Sequence, residues 1–127
     1  MGRRTETVVG QSDRVRAIFD AFDAKDVSAL AALMTDDVRL RLGNAEPVEG
    51  KSAFVETVNA FLGSVAGFRH EVLGIWSDGD VLIVELDVHY TRLDGGEVTL
   101  PSCNVFRLRD GSVSDYRSYI DATPVYA

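Results

Sequence analysis

Three Asp-Gly pairs stand at even spacing in the C-terminal half of the chain: Asp78-Gly79, Asp94-Gly95 and Asp110-Gly111. Each is flanked by runs rich in Val, Ile, Leu, Tyr and Phe. Asp-Gly between alternating segments is the strongest short-range hairpin signal, because both central residues of the favoured tight turn need positive φ. The pairs therefore divide this half into an antiparallel meander, with strands expected near 68–77, 81–93, 97–109 and 112–121. Such strands reach about 12 residues, roughly 40 Å at ~3.3 Å per residue, against the usual length of about 5 to 6. A sheet of strands this long must twist and bend, and a bent sheet has a concave face able to hold a ligand. The residues flanking the three turns do not match one another, so the even spacing is meander geometry rather than duplication.

The first half reads as helical. Val15, Ile18, Phe19 and Phe22 stand at i, i+3, i+4 and i+7, the apolar stripe of an amphipathic helix. Ser12 and Asp13 are its expected N-cap residues. A break at Ala24-Lys25 precedes a shorter helix capped by Asp26, with Leu30, Leu33 and Met34 as its apolar face. Val38 to Leu42 then alternates with period two, as a half-buried strand does. A loop is expected from Gly43 to Gly50, followed by a third helix on the spacing of Phe54, Val58, Phe61 and Leu62.

Composition narrows the function classes. A chain of 127 residues, 46% apolar and 26% charged, fits one globular domain with a real core. Residues 12–127 are expected to form that domain, with 1–11 as a flexible polar lead carrying no secretory signal. The net charge of −7 argues against nucleic acid and against anionic membrane surfaces. Cys103 is the only cysteine, which rules out an internal disulfide and suits a cytoplasmic location. The two histidines, His70 and His89, lack ligand spacing, and no metal is expected.

Three stretches carry a resemblance. Phe22 to Val38 looks like a helix pair stepping through acidic residues into a first strand. Val48 to Phe54 looks like the start of a third helix, and Asn104 to Asp121 like a terminal hairpin. Together they resemble the SnoaL-like and ketosteroid-isomerase-like proteins of the nuclear transport factor two-like superfamily. That resemblance implies an α+β cone, a strongly bent antiparallel sheet forming a barrel with three N-terminal helices over its concave face. It also implies no cofactor, a small hydrophobic ligand, and a homodimer formed through the outer face of the sheet.

Strand 81–93 holds the central question. One face carries Leu82, Val84, Leu86, Val88 and Tyr90, the other Ile83, Glu85, Asp87, His89 and Thr91. By periodicity the apolar face packs on the helices and Asp87 and His89 meet water. The resemblance points the other way, since epoxide-hydrolase members place a strand aspartate matching Asp87 inside the cone. In that case burial would raise the pKa of Asp87 and suit it to acid/base work, with His89 about 6.6 Å along the same face. Asn104 aligns with the protonated aspartic acid that ketosteroid isomerase uses as an oxyanion donor, an enzyme that is itself a standard illustration of pKa tuning. An Asn amide can donate the same hydrogen bond. Asn104 could equally satisfy backbone groups at a bend, and His70 is assigned no role.

The catalytic sets of the known relatives are not intact. The isomerase's helix-one tyrosine falls at Ile18 and its general base near Leu42. The epoxide hydrolases' arginine falls at Glu85, their second aspartate at Ser118, and their water-binding pair near Leu40 and Leu42. The expected catalytic residues are therefore Asp87, His89 and Asn104. The expected pocket lining is Phe19, Phe22, Leu40, Leu42, Phe61, Ser102, Phe106, Tyr116, Ser118 and Ile120. Two functions follow: a cofactor-independent isomerase, cyclase or hydrolase of a hydrophobic molecule, or a non-catalytic binding or dimerisation module on the same fold.

Overall fold

The computed structural model describes residues 3–127, with side chains from Ser12 onward. The elements are α1 (Arg3–Asp23), α2 (Val27–Ala32), β1 (Met34–Leu42), β2 (Val48–Glu49) and α3 (Lys51–Gly63). They are followed by β3 (Gly67–Asp78), β4 (Val81–Thr91), β5 (Glu97–Arg109), β6 (Ser112–Tyr119) and α4 (Thr123–Tyr126). The six strands form one curled α+β sheet in the order β2-β1-β6-β5-β4-β3. It is antiparallel except where β1 lies parallel to β6, Leu40 beside Tyr116 and Leu42 beside Ser118.

The three Asp-Gly pairs make three different turns. Asp110 and Gly111 both have positive φ (52° and 82°), as the tightest hairpin needs. At the first turn Asp78 pairs with Val81, so Gly79 is the first central residue, with φ of 59°. At the second, the Gly95 N–H bonds the Arg92 carbonyl and Gly95 takes φ of 89°, the three-residue loop in which glycine follows an ordinary turn. Thus only one of the three pairs supplies two positive-φ residues; the others use the glycine alone.

Helix α1 passes through Ser12 and Asp13, which are therefore not its caps. The side chains of the expected lead, residues 1–11, lie outside the described residues. The helix ends at a reversal in which Lys25 takes φ of 55°, the Lys25 N–H bonds the Phe22 carbonyl and the Asp26 N–H bonds the Ala21 carbonyl. This is a left-handed helix stop that glycine usually occupies. Here the Lys25 ammonium secures it, donating to the carbonyls of Leu62 and Val65 at 2.9 Å each and tying the stop to the end of α3. Asp26 caps α2 as expected, accepting from the Ala29 N–H.

The core lies between the helices and the inner face of the sheet. Val15, Ile18, Phe19 and Phe22 of α1 and Phe54, Val58 and Leu62 of α3 meet Leu82, Val84, Leu86, Val88 and Tyr90 of β4 there. Helix α1 packs on β3 and α3 on β1. No helix among the described residues is long and apolar enough to cross a membrane.

Candidate functional site

The orientation of β4 decides where Asp87 and His89 point. Along β4 the alternate residues Leu82 to Tyr90 are buried, while Asp87 and His89 are half-exposed on the outer face. In register with them stand Glu71 and Pro101 beside Asp87, and Arg69 and Thr99 beside His89. A one-residue slip would turn the whole strand over. It would expose five large apolar side chains, at about 1.5–3 kcal/mol each, to bury two polar ones. Periodicity wins, and the resemblance-based placement of Asp87 inside the cone is overturned. His89 instead bridges its strand neighbours, with Nε2 2.7 Å from Glu71 Oε1 and Nδ1 2.8 Å from Thr99 Oγ1. The half-buried Cys103 faces outward with them, opposite Glu85, rather than sitting in the core.

Inside the curl lies a cavity of about 340 Å³. Its apolar wall includes Phe22, Phe61, Val88 and Tyr90; its polar points are His70, Ser102, Asn104, Tyr116 and Ser118. Leu42 and Ile120 complete the wall, and the exposed end is formed by Asn44, Asp121, Thr123 and Tyr126. Of the residues expected to line it, Phe19, Leu40 and Phe106 are buried in the core behind the wall, not at the cavity surface. Asn104 lies at the cavity; Asp87 and His89 do not.

Asn104 and Tyr116 form a buried pair. Asn104 Nδ2 donates to the Tyr116 hydroxyl at 3.4 Å, and Ser102 Oγ donates to Asn104 Oδ1 at 3.3 Å. Because Tyr116 accepts from Asn104, its own proton is left to point elsewhere. Burial, with the neighbouring Tyr90 adding a smaller push, holds Tyr116 well above its ordinary 10.0, so it stays a hydroxyl donor at neutral pH.

The group missed in the sequence is His70. Its Nδ1 lies 2.6 Å from Asp23 Oδ1, and its backbone N–H donates to Asp23 Oδ2 at 3.2 Å. An ionised carboxylate only accepts, so Nδ1 carries the proton and Nε2 is the basic nitrogen. The ring stacks on Phe19 with centroids 4.5 Å apart and tilts against Phe22 at 5.7 Å. Phe22 in turn meets Tyr116 at 6.0 Å, so the imidazole and the phenol flank one phenyl ring. Every buried side-chain nitrogen and oxygen among the described residues has a partner. Nε2 takes none among the described residues, so it is not fully enclosed. The available signal was parity: His70 is two residues from Phe68 on the inner face of β3, and Asp23 is one turn beyond Phe19.

Comparison with known proteins agrees with this architecture. The sequence profile of the SnoaL-like domain matches residues 15–116, and the chain belongs to that family. An NTF2-like protein of unknown function from Burkholderia pseudomallei superposes with a TM-score of 0.81 at 18% identity, covering 89% of this chain and 92% of that one. TerC co-crystallised with polyporic acid gives 0.79 at 19% identity over 90% of this chain and 93% of that one. An LEH-like epoxide hydrolase of Mycobacterium tuberculosis gives 0.76 at 22% identity over 98% and 89%. At these identities the likeness is one of fold. No curated protein matches the sequence.

Proposed function

We propose that this SnoaL-like protein binds a small hydrophobic, carbonyl-bearing molecule in the inner cavity and moves a proton on it without a cofactor. The carrying observation is His70, with Nδ1 committed to Asp23 and Nε2 open, on the wall of the cavity that holds the Asn104–Tyr116 pair. His70 is the general base, Asp23 orients it, and Tyr116 donates to the oxygen on which negative charge develops, with Asn104 setting the direction of that donor. Proton abstraction beside a carbonyl needs a base and an oxyanion donor, and these residues provide both. His70 thus takes the role first expected of Asp87 and His89. That TerC was crystallised with polyporic acid, an organic ligand in a similar fold, fits a small-molecule cavity here.

The test follows exchange of α-protons for deuterium in a panel of apolar cyclic ketones in D₂O by NMR. Exchange above the buffer rate that disappears in His70→Gln is the expected result. A ligand that binds with no exchange in the wild type removes the catalytic role and leaves a binding module.

The outer sheet face is proposed to pair two copies of the chain in the cytoplasm. Trp76, Ile83 and Tyr119 stand exposed there beside Val105. Light scattering after size exclusion should return twice the chain mass, and a monomer at high concentration excludes it.

A further inference from the structure

His70 lies on a wall shared by two spaces. One is the inner cavity; the other is an outer groove of about 290 Å³ between α1 and β3, bordered by Arg16, Asp20 and Val72. Asp23 lines the groove and not the cavity, whereas His70 lines both. The Asp23 side chain is 26% exposed against 9% for His70, so water reaches the carboxylate more freely than the ring. The dyad therefore spans the wall, from His70 at the inner cavity to Asp23 in the groove, joined through Nδ1 and Asp23 Oδ1.

We infer that Asp23 relays protons between His70 and water in the outer groove, so that the dyad exchanges protons without using the ligand's entrance. This rests on the reading of His70 as the base. A proton taken by Nε2 from a ligand leaves an imidazolium. The Nδ1 proton then passes to Asp23 Oδ1 and on to a groove water, leaving neutral His70 protonated at Nε2. The reverse shift, from water through Asp23 to Nδ1, restores the imidazolium, and Nε2 can then return its proton to the ligand. Bonds and charge balance at each step, and no other reactant is needed. Asp20 and Arg16 are the charged side chains that face the groove beside Asp23. A carboxylate that only oriented the ring would serve equally well sealed from water.

The test reads the Nδ1–H of His70 by water saturation transfer in protein labelled with ¹⁵N-histidine. The chain has two histidines, so His89→Gln assigns the signal. Val72→Trp and, independently, Arg16→Trp fill the groove; Ser118→Phe and Thr123→Trp fill the cavity and its exposed end. The expected result is that exchange slows about tenfold or more in the groove variants and is unchanged in the cavity variants, since exchange follows water access. Asp23→Asn keeps an acceptor but cannot carry a proton, and should slow exchange and abolish its sensitivity to groove filling. Exchange that ignores the groove variants, or that slows only when the cavity is filled, overturns the relay. If that happens while His70→Gln still abolishes ketone exchange, the base reading survives and only the route is wrong. If His70→Gln leaves ketone exchange intact, the base reading fails whatever the groove variants do.

Discussion

His70 and His89 each hold a carboxylate through one ring nitrogen, on the two faces of one sheet. The His70 side chain is 9% exposed, stacked on Phe19, with Nε2 unpartnered among the described residues; the His89 side chain is 31% exposed, and both its nitrogens are taken by Glu71 and Thr99. The chemistry of the pairs is nearly the same and the surroundings are opposite. A carboxylate–imidazole pair in water is a surface contact of small worth. The same pair at the wall of an apolar cavity, with one nitrogen left over, is what the proposed base role requires. The difference lies in what the remaining nitrogen meets.

That comparison can be broken most sharply by exchanging the two histidines' fates. If the inner one is the base, His70→Gln should lower ketone deuterium exchange by about 10²–10⁴-fold while His89→Gln leaves it within a factor of two or so. Equal losses would put both faces in one site. The next contrast is mechanical and uses adjacent residues of β5. Phe106→Ala, from the fully buried inner face, should cost about 3–5 kcal/mol in urea unfolding. Arg107→Ala, on the exposed face, should stay within about 0.5 kcal/mol.

A smaller effect comes from alkali. Burial pushes Tyr90 from 10.0 up to about 12. A group whose folded value is raised gives stability that is present below its unfolded value and lost as pH rises through the folded one. Stability should therefore fall between about pH 10 and 12, by about 1.4 kcal/mol per pH unit per such group. Denaturant unfolding across that range should show a shallower fall in Tyr90→Phe than in the wild type. The smallest contrast is on the outer face, where the Trp76 indole lies over Gly74 so closely that a Cβ there would sit 2.6 Å from it. Gly74→Ala should lift the ring off the sheet and shift the emission of the single tryptophan to the red, with little change in stability.

The meander was legible because its signals are local. The Asp-Gly pairs, the stripe of Val15, Ile18, Phe19 and Phe22, and the alternation of β4 each name their element without knowledge of any other. The short α4 carried no such signal beyond Pro124, and its Tyr126 reaches the cavity and bonds Ser64 Oγ at 2.8 Å. Asp23 and His70 were illegible for a different reason. They lie 47 residues apart, and each alone reads as a solvated polar residue at the end of an apolar stretch. The phase of β3 also breaks at a bulge between Val72 and Gly74, so Ile75 faces inward while Phe68 and His70 keep the other count. Asp87 misled because a family resemblance weighed against a strand whose own burial requirement was stronger.

The side-by-side placement of β1 and β6 governs the order in which the molecule can come together. Met34 to Leu42 is made early, yet its neighbour, Ser112 to Tyr119, is the last strand of the meander to be made. Pairings this distant in sequence close slowly. Until β6 arrives, the only strand paired with β1 is the two-residue β2, and Leu42 has no Ser118 beside it. The chain up to Arg109 carries both halves of the Asp23–His70 dyad but not Tyr116. The proposed base is thus encoded before the proposed oxyanion donor, and the exposed end of the cavity, Asp121, Thr123 and Tyr126, follows the last strand.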